Sequence, residues 1–338
     1  MLCMRLVPAC LFACCLLAAQ VPKISVIDFY GVNKVPESRL LQALGARAGD
    51  PLPASKANTE DRLEQVDGVV LARLEAVCCE AGGAILFVGI EEKGAPHFDF
   101  HADPASSVLL PDDVRDAYKG FLDRYEQSAK SGEDRESLTR GYALSADPEV
   151  RAYQERFVGL AEKNFAVLQQ VLRDSTEADQ RAIAAYLIGY APDKRAAIAA
   201  LEYALRDPEE AVRHAALRAL GALAVFASKN PGAGIQVSPT WAIEMLNSIA
   251  WGDRTQAANF LVTLTENRDA GALDQLRERA LPSLVEMANW KSLSYALPAY
   301  ILLGRIAGMT EDQIQATWTK GERETVISKF ASSERRAR

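Results

Sequence analysis

The chain is poor in the residues and motifs that carry chemistry. It has three histidines in 338 residues and 7% aromatics. Gly82-Gly83 and Pro231-Gly232-Ala233-Gly234 lack the Lys-Ser/Thr that a phosphate-binding loop requires. There is no G-x-S-x-G elbow and no H-E-x-x-H helix. The paired carboxylates Glu91-Glu92, Asp112-Asp113 and Glu209-Glu210 read as solvated or capping charges. An excess of basic charge is also missing. A net charge of −7 argues against wide nucleic-acid contact, which needs clustered Lys and Arg; Arg335, Arg336 and Arg338 make only a short basic tail. Four of the six cysteines fall in the first fifteen residues. The other two, Cys78 and Cys79, are neighbours, and adjacent cysteines rarely reach disulfide geometry. They are expected as two small hydrophobes at a strand end, which leaves the fold to rely on its packed core.

No apolar run is long enough to span a bilayer comfortably. The first segment, MLCMRLVPACLFACCLLAAQ, has one positive charge at Arg5, an apolar stretch to Ala19 and a small-residue end. Residues 1–20 therefore read as a cleaved secretory signal, cut near Ala19 or Gln20. Leu11-Phe12-Ala13-Cys14 loosely resembles a lipobox, but Phe12 fits poorly and apolar residues continue past Cys14, so plain cleavage is expected over lipidation.

What is present suggests two or three packed domains. Hydrophobic residues make up 49% and charged residues 25%, ordinary for a folded protein, and abundant Ala and Leu favour helix. KISVIDFYG (23–31) has a strand pattern that Gly31 ends. VPESRLLQALGARAGDPL (35–52) spaces Leu40, Leu41 and Leu44 as a helix. NTEDRLEQVDGV (58–69) gives a second short helix, with Asn58 as its expected N-cap. Two strands follow, VVLARLEAVC and AILFVGIEE, joined through Glu80–Gly83. The order is β-α-α-β-β.

This order, with Gly31, Pro36, Gly49-Asp50-Pro51, Asp67-Gly68-Val69 and Glu91 as punctuation, resembles the POTRA module of bacterial envelope proteins. The resemblance covers about 70 residues and implies a partner-docking module, often working by strand addition at a sheet edge. No train of alternating strands follows, so a barrel is not expected.

Residues 93–110 read as a connector, with one more short strand expected around His97–His101. His97, Asp99 and His101 form H-x-D-x-H, and on a strand all three would share a face as metal ligands. The same spacing with Phe98 and Phe100 is equally that of an amphipathic strand, and no fourth ligand is evident. No metal site is therefore assigned.

From residue 111 the pattern is helical. In LRDPEEAVRHAALRALGAL (205–223), Asp207 stands at an N-cap position, Pro208 at the first helical position and Glu210 at the third. Ala215, Ala216, Ala219 and Gly221 make a small face on which neighbouring helices can approach. RAIAAYLIG (181–189) matches RHAALRALG (213–221), RTQAANFLV (254–262) keeps the Arg and the alanines, and SYALPAYILLG (294–304) keeps the Leu-Gly end. Each follows an apolar helix, and a period of about 30 to 45 residues is that of an α-solenoid.

LRDPEEAVRHAALRALG resembles the HEAT repeat family, in a bacterial form related to phycocyanobilin lyase repeats. The resemblance implies a buried ladder made by Asp207 and Arg213, with Arg181 and Arg254 as its neighbours. Gly252 and Pro298 depart from the pattern, so a helix end or kink is expected near them. His214 reads as a surface or interface imidazole, and Trp241, Trp251, Trp290 and Trp318 as packing between helices.

The chain thus reads as α+β: a POTRA-like βααββ module over 21–94, a helical linker region over 95–160 and an all-α HEAT-like solenoid over 161–330. The expected function is a non-catalytic, exported adaptor or scaffold of the bacterial envelope, periplasmic or secreted. It would have protein partners, no cofactor, no nucleic acid and no membrane span in the mature chain. The alternatives are a phycobilin-lyase-like enzyme and a nucleic-acid-binding HEAT-like protein.

Overall fold

Strand β1 (Ile24–Tyr30), helices α1 (Glu37–Leu44) and α2 (Lys56–Glu64), and strands β2 (Val69–Glu80) and β3 (Gly83–Glu92) follow in the expected order. The computed structural model describes residues 22–80, 82–132 and 135–334; the expected signal segment 1–20 and the basic tail lie outside them. β3 is central, parallel to β1 and antiparallel to β2. Its nearly unbroken apolar run suits a strand buried on both faces. Leu86, Val88 and Ile90 pack with Leu40, Leu44 and Leu63 of α1 and α2. On the opposite face, Ile85 and Phe87, with Tyr30 of β1, belong to the core of the helical region. Tyr30 pairs with Gly89 across the strands, and a Cβ on Gly89 would stand 2.5 Å from the Tyr30 ring.

Two local expectations are corrected here. α2 begins at Lys56 rather than after Asn58, because Ser55 Oγ accepts the Asn58 N–H. Cys78 and Cys79 are bonded to each other as a disulfide instead of lying as two free thiols. They sit where the β2–β3 register shifts between Val77 and Glu80, so the ladder does not hold their side chains on opposite faces.

The helical region follows: α3 (Asp112–Ser131), the short strands β4 (Glu136–Ser137) and β5 (Leu144–Ser145), α4 (Pro148–Asp174), α5 (Ala178–Ile188), α6 (Lys194–Ala204), α7 (Glu210–Lys229), α8 (Thr240–Met245) and α9 (Trp251–Leu264). It closes with α10 (Ala270–Arg279), α11 (Leu281–Ala288), α12 (Leu293–Ile306), α13 (Glu311–Thr319) and α14 (Glu324–Glu334). With the sheet, these helices make the α+β architecture expected. α5, α7, α9 and α12 stand side by side in one row, backed by α4, α6, α8 and α11. Fully buried Ala184, Ala216, Ala257 and Ala296 keep the row close. Glu210–Lys229 is the one helix, among the described residues, long and apolar enough to cross a membrane; here it is a central member of the row. α12 continues through Pro298.

Helix α7 starts at Glu210, two residues later than the Asp-Pro pair suggests. The equivalent pair before α4 does behave as expected: Asp147 caps Glu149 and Val150, with Pro148 in the first turn. Asp207 makes only the first of these two bonds, to the Glu209 N–H.

Candidate functional site

The helical row and the sheet meet along a seam, and the polar features of the molecule gather around it. Phe87 lies 5.0 Å from the rings of both Trp251 and Trp290 and meets Tyr295 edge-on at 5.6 Å. The two tryptophans therefore seat the sheet as well as packing between helices. Tyr30 donates its hydroxyl to the Ile249 carbonyl at 2.8 Å. The Gly31 N–H donates to Glu286 Oε1 at 2.7 Å, and Asp28 accepts the N–H groups of Lys291 at 3.0 Å and Ser292 at 3.4 Å. Burial raises the Asp28 carboxyl and outweighs those amides. Burial likewise pushes Glu286 up to about 7, against the Arg254 charge and the Gly31 amide.

Behind the seam runs a ladder of buried ion pairs. Arg181 Nε and its terminal nitrogen each donate to Asp207 at 2.8 Å; a third bond reaches the Ser175 carbonyl. Asp207 Oδ1 also accepts the Glu209 N–H. Arg213 grips Asp253 in the same way, at 2.9 and 2.8 Å, and also holds the Asp207 and Pro208 carbonyls. Burial would raise the Asp253 carboxyl, but His214, Arg213 and Ser248 hold it below the usual range.

Arg181, Asp207 and Arg213 thus occupy the ladder positions anticipated for them; Arg254 stands at the equivalent place in α9 but meets no aspartate among the described residues. It donates to the Ser248 carbonyl at 2.6 Å and lies over the Tyr30 ring at 4.8 Å. The turn ahead of α12 offers Ser292 instead of an aspartate, and that turn is served by Asp28 from β1.

Residues 95–110 form a strap. The His101 N–H donates to the Arg206 carbonyl at 2.7 Å, and Ser106 N–H to the Asp174 carbonyl at 2.8 Å. Phe100 lies under the Arg213 guanidinium at 4.5 Å. Because the solenoid turns take these amides, the strand expected around His97–His101 does not form. His97 and Asp99 meet at 3.1 Å in solvent, whereas His101 stacks on Tyr203 of α6 at 4.3 Å. The H-x-D-x-H trio is not assembled. The cluster with metal-ligating geometry among the described residues is Glu210, His214 and Asp253.

Two further features were not foreseen. Two outward amides of β2 are occupied: Ala72 N–H donates to Glu64 and Leu74 N–H to Glu60, at 3.1 and 2.8 Å. The middle of this sheet edge is thereby closed to strand addition by α2. Where the sheet and the row diverge, a cleft of about 480 Å³ opens, lined by Asn33, Asn247, Arg254, Arg279, Ser283 and Glu286 among others. One terminal nitrogen of Arg254 is buried with no hydrogen-bond partner.

A row of helix pairs stapled by Asp–Arg bonds from one pair to the next is the architecture of a helical repeat protein. Residues 165–233, from within α4 to just past α7, match a family model for HEAT repeats. No curated protein matches the chain.

Proposed function

We propose that this chain is a non-catalytic adaptor or scaffold, exported to the bacterial envelope, that binds a protein partner. HEAT-type arrays present extended surfaces suited to such partners. The observation that carries this reading is the cleft at the seam, where sheet and solenoid share one core and together line a concave surface. The β1–β3–β2 strand order within βααββ supports a POTRA-like docking role for the N-terminal module. With the middle of the β2 edge occupied by Glu60 and Glu64, the partner docks on the cleft and the helical surface. The apolar N-terminal segment with Arg5 supports export.

The test is capture of the full-length tagged chain from envelope extract, beside an Arg279→Glu variant at the cleft rim and a Glu162→Lys control on the solvated face of α4. A stoichiometric protein partner lost only with Arg279→Glu is expected. Absence of any enriched partner overturns the adaptor reading, and retention of the cytoplasmic, uncleaved chain overturns export.

A further inference from the structure

We propose that Glu210, His214 and Asp253 form a binding site for a divalent cation of the zinc class, bridging α7 and α9. Glu210 and His214 stand one turn apart on α7, and Asp253 lies in the first turn of α9, the next helix in the row. His214 Nε2 is 3.5 Å from Glu210 Oε1 and 3.5 Å from Asp253 Oδ1, and the three ligand atoms lie within 4.8 Å of one another. That spacing is long for a hydrogen bond. It is close to the ~3.3 Å edge of a tetrahedron built on zinc–ligand bonds of ~2.05 Å.

His214 Nε2 supports the same assignment. It is shielded from solvent and makes no close hydrogen bond; its interactions with the two facing carboxylate oxygens are both at 3.5 Å. A buried polar nitrogen left in this state is costly, and a cation between it and the oxygens satisfies all three groups. Asp253 is already prepared as a ligand. Arg213 and the Ser248 hydroxyl orient its carboxylate, while Oδ1 keeps a lone pair free because a carboxylate oxygen accepts more than one bond. Outer bonds of this kind fix the geometry of metal ligands.

Gly252 supplies the space. Any Cβ there would overlap the Glu210 carboxylate and stand 2.7 Å from His214 Cε1. Its departure from the repeat pattern is explained by this clearance; α9 simply begins there. Glu210 and His214 remain partly exposed, so the fourth coordination position is open to water or to a partner's side chain.

The test uses the full chain after chelation, titrated with Zn²⁺ against a competing chromophore and separately with Co²⁺. One equivalent is expected, with the visible bands of a tetrahedral Co²⁺ site. His214→Gln should raise the Kd by more than ~100-fold, beyond the ~10–100-fold typical of outer positions, and Gly252→Ala by ~10–100-fold. Unchanged circular dichroism in both variants separates lost ligation from lost fold. No saturable binding overturns the proposal. Wild-type affinity in both variants also overturns it, and a His97→Asn variant then tests the strap as the site.

Discussion

Asp207 gives both carboxylate oxygens to Arg181, with both side chains sealed from water. Replacing one partner of such a pair strands the other as a buried charge, which costs about 3–5 kcal/mol. Asp207→Ala should therefore lower unfolding stability by that amount in urea titrations. Glu286 makes a second residue-level prediction. Its carboxyl is held at about 7 in the folded chain, above its unfolded value, so the native state binds the extra proton. Stability from this group is full at low pH and falls as pH rises from about 4.5 toward about 7. Glu286→Gln removes the dependence, and its stability relative to wild type should improve by about 1–3 kcal/mol between pH 5 and pH 8.

Legibility at this scale followed the repeat. Arg181, Asp207 and Arg213 could be placed because their positions recur in LRDPEEAVRH and its neighbours. Asp253 was missed because it stands inside the first turn of α9, at a different offset from Asp207 before α7. Asp28 and Glu286 meet partners more than 250 residues away, and no local pattern carries that information.

At the scale of elements, the short helix α2 shields an edge strand. Glu60 and Glu64 reach two of the outward amides of β2, a side-chain answer to the risk that an exposed edge pairs with another chain. The Glu60→Ala/Glu64→Ala double variant should open the edge. Light scattering should then show concentration-dependent association that the wild type lacks. The strands themselves were legible from alternation and turn residues. Their edge closure was not, since Glu60 and Glu64 look like ordinary solvated helix charges. The strap likewise read as a possible strand from its alternating Phe and polar residues, and the solenoid's turns took its amides.

For the whole molecule, the decisive contact is Phe87 in its cage of Trp251, Trp290 and Tyr295. Sheet and solenoid share a core, so they should unfold together. Tryptophan fluorescence and far-ultraviolet circular dichroism should give coincident transitions. Phe87→Ala should lower that single midpoint by the equivalent of about 3–5 kcal/mol. Two separated transitions in the wild type would contradict a common core. The α+β composition was readable from periodicity alone. That the two parts interlock was not, because the outward face of β3 reads the same whether its cover comes from α1 and α2 or from a distant helix.

This interlocking also imposes an order of events during synthesis. About two hundred residues separate Phe87 from Trp290, so at ~5–20 residues per second the strand precedes its cage by ~10–40 s. Over that interval the aromatic face of the newborn sheet has no native cover, and whatever shelters it in the cell sets how much of the chain reaches the folded state.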